Sequence, residues 1–389
     1  MRPAIPTMAL VATLAAAPDV DAQQVVRWKN RDHELTELPK AMTEPALAAI
    51  ETWAPWADEH GYRLDLEDGG RVLLVSPRKG GAWKQMRHVD RAIGAFEAAL
   101  PAPARLVAKI PERSAPATPA GQGGGGPLPE DPEGPPPGIG GLGGLSGGTE
   151  AETKSAAPPP PALDAETIVF FVVADEKDYA QLAARLAWDH PYLAGWAKTA
   201  KQSTGFTLEQ PLAGAYVAGA SGQEEWNPDN EIVHRIGELL LIRRFGRQPF
   251  WIQQGWAWHL EESLLRGIYC FPYRDEFVFA TEHTAWPNEL RREFKDRDEP
   301  LTIDDLAFPR GKYDGERARR AFGAARFLAE RRRGKFAGAL EQLRVARLER
   351  ADGGEVPPAD QERILKDKLG ADVLDEMAKA FARGKDDAE

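Results

Sequence analysis

Asn230-Glu231-Ile232-Val233-His234, followed by Pro249-Phe250-Trp251-Ile252-Gln253-Gln254-Gly255-Trp256-Ala257-Trp258-His259-Leu260-Glu261, is the stretch that decides how this chain reads. The spacing predicts two helices, about Asn230 to Phe245 and Trp251 to Leu265, with Pro249 placed where a helix start tolerates it. On the first helix Glu231, His234 and Glu238 fall at i, i+3 and i+7, broadly one face.

Outward from this pair, Thr167 to Val173 is apolar and β-branched and predicts a buried strand. Asp175 is placed to cap a helix running through Ala187. Ala215 to Ala218 predicts another short strand. Downstream the chain reads as mainly helical, with candidates at Gly315–Arg332, Ala337–Leu348 and Ala359–Arg383. Upstream, residues 25–110 hold Trp28, Trp53 and Trp56 and a predicted hairpin, Tyr62–Leu66 and Arg71–Val75, turning at Asp68-Gly69-Gly70. A helix follows from Trp83 to Leu100, stopped by Pro101 and Pro103.

Residues 111–163 separate these two regions. They hold 13 prolines and 13 glycines in 53 residues and almost no large apolar side chains. Such a composition cannot bury enough surface to offset ordering entropy, so a disordered linker or insertion is expected. Residues 1–22 read as a signal peptide: Arg2, the apolar run Met8–Ala17, and a small residue at the cleavage edge. The chain is therefore expected to be exported, to the periplasm or beyond. The domain plan is a signal peptide at 1–22, an N-terminal α+β segment at 25–110, the insertion at 111–163 and the main domain at 164–389, with 25–110 forming the front of that same domain.

A formal charge of −11 over 389 residues argues against a nucleic-acid partner, and no stretch is long and apolar enough for a transmembrane span. The single cysteine, Cys270, cannot form an internal disulfide, and no Cys-based zinc site can be built from it. It reads as a small buried apolar group.

A zinc hydrolase helix carries His-Glu-x-x-His, which puts two imidazoles on one face with a glutamate between them as general base. A third ligand comes from elsewhere, and the fourth position stays open for water. Here the paired motif, including Gly255, Ala257 and Glu261 on the second helix, resembles the gluzincin clan of zinc metallopeptidases, in particular the peptidase MA-like proteins of bacteria. The likeness extends over roughly Thr167 to Phe381 and implies a zincin-like α+β fold, with a small mixed sheet followed by a mainly helical C-terminal part. Carried over by position, Glu231 matches the general base and His234 the second ligand. Asn230 stands where the first histidine belongs, and Gln254 where the third-ligand glutamate belongs.

Amide oxygens are weak zinc ligands beside imidazole and carboxylate, so the resemblance implies a dismantled site with no metal. Zinc would be the cofactor if the site functions. A relocated set of Glu231, His234 and His259 is the alternative, whereas a di-iron reading fails because no second Glu-x-x-His occurs. Glu261, Trp256 and Trp258 are expected to support or line the cleft. Three roles follow from the resemblance. The first is an inactive homologue binding a peptide, protein or glycan in the inherited cleft. The others are a peptidase with atypical ligands and a structural or assembly domain with a closed cleft.

Overall fold

The computed structural model describes residues 25–38, 44–79, 82–101, 166–200, 205–218, 227–270, 285–295, 297, 299–307, 314–350 and 354–383. The expected signal peptide at 1–22 and the insertion at 111–163 lie outside them. No described helix is long and apolar enough to cross a membrane.

The fold is α+β. Seven strands form one mixed sheet: β1 (Val25–Trp28), β2 (Arg31–Glu34), β3 (Tyr62–Leu66), β4 (Val72–Pro77), β5 (Ile168–Val173), β6 (Gly205–Leu208) and β7 (Ala213–Val217). Their spatial order is β2-β1-β3-β4-β5-β7-β6. The expected hairpin is β3–β4, with Leu64 opposite Val75 and Gly70 at positive φ in its turn. Strands β4 and β5 pair in parallel, Val72 beside Ile168 and Val75 beside Phe171. The front segment and the main region therefore share one sheet.

The alternation of side chains splits the interior into two layers. Leu73, Val75, Val169, Phe171 and Val173 face one way and pack with α1 (Glu44–His60), α3 (Glu176–Asp189) and α4 (Ala194–Ala200). Val72, Leu74, Ile168, Phe170 and Val172 face the other way. They meet α2 (Ala82–Ala99) and α5 (Pro228–Phe245), behind which lie α6 (Phe250–Leu265), α7 (Trp286–Lys295) and α8 (Gly315–Arg331). Helices α9 (Arg333–Leu348), α10 (Pro358–Leu369) and α11 (Val373–Arg383) complete this mass.

Four strands come from before residue 80 and three from after 165. One sequence expectation needs correction. The single helix expected at Ala359–Arg383 is two, α10 and α11. Gly370 separates them at φ +120°, a backbone conformation that no α-helix holds. Asp175 caps α3 as expected, its Oδ1 accepting from the Asp178 backbone N–H at 2.9 Å, and the helix runs to Asp189.

The pair α5–α6 sits deepest. Gly237 lets the two helices approach: a Cβ there would lie 2.6 Å from Leu260 Cδ1. Gly255 does the same for α6 and α8, where an added Cβ would strike the Ala321 carbonyl. Arg244 ties α5 to α2, donating to both Glu97 carboxylate oxygens at 3.1 and 2.7 Å and lying over the Phe96 ring.

A buried histidine–carboxylate cluster on two central helices

Asn227 opens α5, its Oδ1 accepting from Asp229 N–H, and Pro228 follows at the first helical position. The residues singled out by sequence come next and lie almost wholly inside: Asn230 is 0% exposed, Glu231 2%, His234 2%, Gln254 5% and Glu261 0%. A polar group so buried is stable only when its hydrogen bonds are supplied by the protein.

His234 is held at both nitrogens. Nδ1 lies 2.7 Å from Glu261 Oε1, and Nε2 lies 3.0 Å from Gln254 Oε1. The Gln254 amide is oriented by its other end, where Nε2 donates to Glu238 Oε1. Glu238 is itself fixed by Thr207 Oγ1, donating at 3.1 Å, and by Gln253 Nε2 at 3.2 Å. The Gln254 oxygen is thus the atom presented to the ring, so His234 Nε2 carries a hydrogen and donates. Burial opposes charge on His234, but the Glu261 hydrogen bond and the charges of Glu261, Glu238 and Glu231 outweigh it and raise its pKa.

Glu261 collects donors. Its Oε2 accepts from Asn230 Nδ2 at 2.7 Å and from Tyr269 N–H at 2.8 Å. Asn230 Nδ2 also donates to the Gly267 carbonyl at 2.8 Å. Both partners of Nδ2 are acceptors, which fixes the amide orientation. Asn230 Oδ1 is left buried and without a hydrogen-bond partner.

Glu231 turns elsewhere: Arg235 Nε donates to its Oε2 at 2.5 Å, while its Oε1 is buried without a partner. Its spacing to Arg235, four residues along a helix, was the legible signal for this pair.

The sequence grouping is therefore met in part. Asn230, His234, Gln254 and Glu261 come together, and Glu231 lies on the same helix paired with Arg235. His259 does not join them. Its Nδ1 lies 3.3 Å from Ser263 Oγ and its ring packs on Trp256, and among the described residues the potential ligand group around His234 is completed by Glu261 and Cys270 rather than by Glu231 and His259. Trp256 and Trp258 do not line an open cleft. Both are 0% exposed, with Trp256 Nε1 donating to the Gly237 carbonyl and Trp258 Nε1 to the Cys270 carbonyl. An indole fully buried with its N–H satisfied is core.

Sequence reasoning missed Cys270 as a neighbour of this cluster. Helix α6 ends at Arg266, which adopts φ +65° and reverses the chain. Residues 267–270 then fold back, and a potential ligand atom from each of His234, Glu261 and Cys270 lies within 4.8 Å of the others. No periodicity announces this, because the reversal depends on one residue adopting the left-handed region.

A groove of about 480 Å³ lies far along the sheet from this cluster, between α1 and strands β1 and β3. Arg27, Asp32, Asp58, Tyr62, Arg63 and Arg78 are among its lining residues.

No family model, no curated protein and no solved structure matches this chain.

Proposed function

We propose that this chain is an exported homologue of gluzincin metallopeptidases, built on a zincin-like frame, that has lost peptidase activity. The observation that carries the reading is the environment of His234. Its Nε2 hydrogen is donated to the Gln254 amide oxygen, which occupies the third-ligand position. An imidazole nitrogen that carries a hydrogen has no lone pair for a metal. The aligned general base, Glu231, is held by Arg235 in the interior, so neither half of a metal–water mechanism is in place.

The role that remains is binding or assembly. Trp256 and Trp258 fill the interior beside the cluster, which favours a structural use of the inherited positions over a ligand cleft. The groove between α1 and β1–β3 is the better seat for a peptide, protein or glycan. Arg27, Arg63 and Arg78 border it beside Asp32 and Asp58; Arg63 and Arg78 are paired with Asp65 and Asp58, and among the described residues Arg27 makes a 4.0 Å contact with Asp65, which suits an acidic group on the ligand best at Arg27.

The test is a peptidase assay on the full chain with added zinc, alongside Glu231→Gln. No hydrolysis of an unfolded protein substrate is expected from either. Hydrolysis by the native chain that Glu231→Gln abolishes would overturn the reading. The register is tested separately in a Cys270→Ser background, which removes the one thiol beside His234. Adding Asn230→His and Gln254→Glu is expected to create zinc binding there, and a folded triple variant that takes no zinc would sink the alignment.

A further inference from the structure

We infer that His234, Glu261 and Cys270 form a structural zinc site, on the opposite edge of the imidazole from the nitrogen that a gluzincin metal would use. The argument begins with the tautomer. Glu238 orients Gln254, and Gln254 takes the Nε2 hydrogen, so a neutral His234 directs its Nδ1 lone pair toward Glu261 Oε1 at 2.7 Å. Two lone pairs face each other there. A cation must lie between them, either a proton or a metal ion.

Three features favour the metal. First, Cys270 supplies a sulfur within 4.8 Å of one His234 ring nitrogen and one Glu261 oxygen, and imidazole, carboxylate and thiolate are the three ligand types zinc takes. Second, Asn230 is wholly buried with its Nδ2 on Glu261, and its Oδ1 has no partner. This orphaned oxygen sits on an amide already bonded to Glu261, so the cluster leaves a buried polar group unmet beside it. Third, the ligands are held from behind. Gln254 fixes the ring, Asn230 and the Tyr269 N–H fix Glu261, and Trp258 holds the Cys270 carbonyl. Such outer partners are what metal-ligating side chains require.

Ligand atoms around a tetrahedral zinc ion with bonds of about 2.0–2.1 Å stand roughly 3.3 Å apart. The His234–Glu261 pair would therefore open by about half an ångström. The exchange balances: one Zn²⁺ enters while two protons leave, one from between His234 and Glu261 and one from the Cys270 thiol. The buried charge is unchanged. With His234, Glu261 and Cys270 all buried, this zinc would hold the segment after α6 onto α5 as a structural ion.

The test uses the full chain, stripped of metal by chelator under denaturing conditions and refolded with zinc or cobalt(II). One zinc per chain is expected by elemental analysis. Cobalt is expected to give a thiolate-to-metal charge-transfer band in the near ultraviolet, lost in Cys270→Ser. Affinity is expected to fall at least tenfold in Cys270→Ser and in Glu261→Gln, and to stay unchanged in His259→Ala. A chain that refolds fully and holds no metal overturns the inference, since a proton then fills the site. Bound cobalt without a thiolate band in the native chain overturns it equally, and that spectrum decides even if a variant fails to fold.

Discussion

The cluster at His234 and the ionic network joining α7 to α8 use the same residue types in opposite surroundings. At His234, three carboxylates, an imidazole and a guanidinium lie at 9% exposure or less, and each bond is made by the protein. Between α7 and α8, Arg319 reaches Glu289 and Glu293 at 2.8 and 3.1 Å, and Arg320 reaches Glu293 and Asp305 at 2.5 and 3.3 Å. Arg297 adds a 3.0 Å bond to Asp305 and lies over the Phe294 ring. These side chains keep contact with water, so losing one partner leaves the other hydrated. Inside, losing one partner leaves a buried group with nothing in its place. The difference teaches that the number of ion pairs says little about stability until each is placed relative to solvent.

Removing Glu261 is the hardest blow to this contrast. Glu261→Ala strips an acceptor from His234, from Asn230 and from the Tyr269 N–H together. A loss of about 3–5 kcal/mol is expected, read as a fall in urea midpoint of the metal-free chain. A loss below that of a surface pair would mean water reaches the cluster. Arg320→Ala, on the α7–α8 network, is expected to cost no more than about 1 kcal/mol by the same measurement, and less at high salt. A larger, salt-insensitive loss would erase the distinction between the two regions.

The finest test is acid titration of Asp305. Burial raises its pKa, but the Thr302 backbone and hydroxyl bonds and the charges of Arg297 and Arg320 prevail and lower it from the ordinary carboxylate value. A depressed folded pKa gives stability that is present above the unfolded value and is lost as pH falls through the folded one. Asp305→Asn is therefore expected to flatten the stability curve below about pH 4 and to leave its slope near neutrality unchanged. Stability followed by denaturant unfolding across that range checks it, and a variant whose acid slope matches the native chain would refute the assignment.

How much of this was legible beforehand depends on what each residue's neighbours are. The β3–β4 hairpin, β5 and the helices α2, α5 and α6 show in the sequence because periodicity and turn residues are local properties. Helix α1 does not, because Pro55 lies inside it and reads as a breaker. The join at Gly370 is invisible for the opposite reason: a lone glycine is often tolerated within a helix. At the site, the resemblance of the paired motif to the gluzincin pattern grouped Asn230, His234, Gln254 and Glu261. The fates of Trp256, Trp258 and His259 turned on tertiary packing that a helical wheel does not contain. Cys270 reads as a small buried apolar group and is buried; its approach to His234 and Glu261 follows from the left-handed turn at Arg266, which the sequence does not announce.

The parallel pairing of β4 with β5 has a consequence for how the molecule assembles. Val72 and Ile168 are neighbours in the sheet but 96 positions apart in the chain (168 − 72). Local contacts on either side can form early, the β3–β4 hairpin before the crossing and the α5–α6 packing after it. Joining them requires closing a long loop before any reward arrives, and contacts of such sequence separation slow folding. The closure penalty itself grows only as the logarithm of length, about 0.6 kcal/mol per doubling. Evolution could therefore lengthen or shorten the connection with little effect on equilibrium stability, while the rate at which the two halves find each other would carry the record of the change.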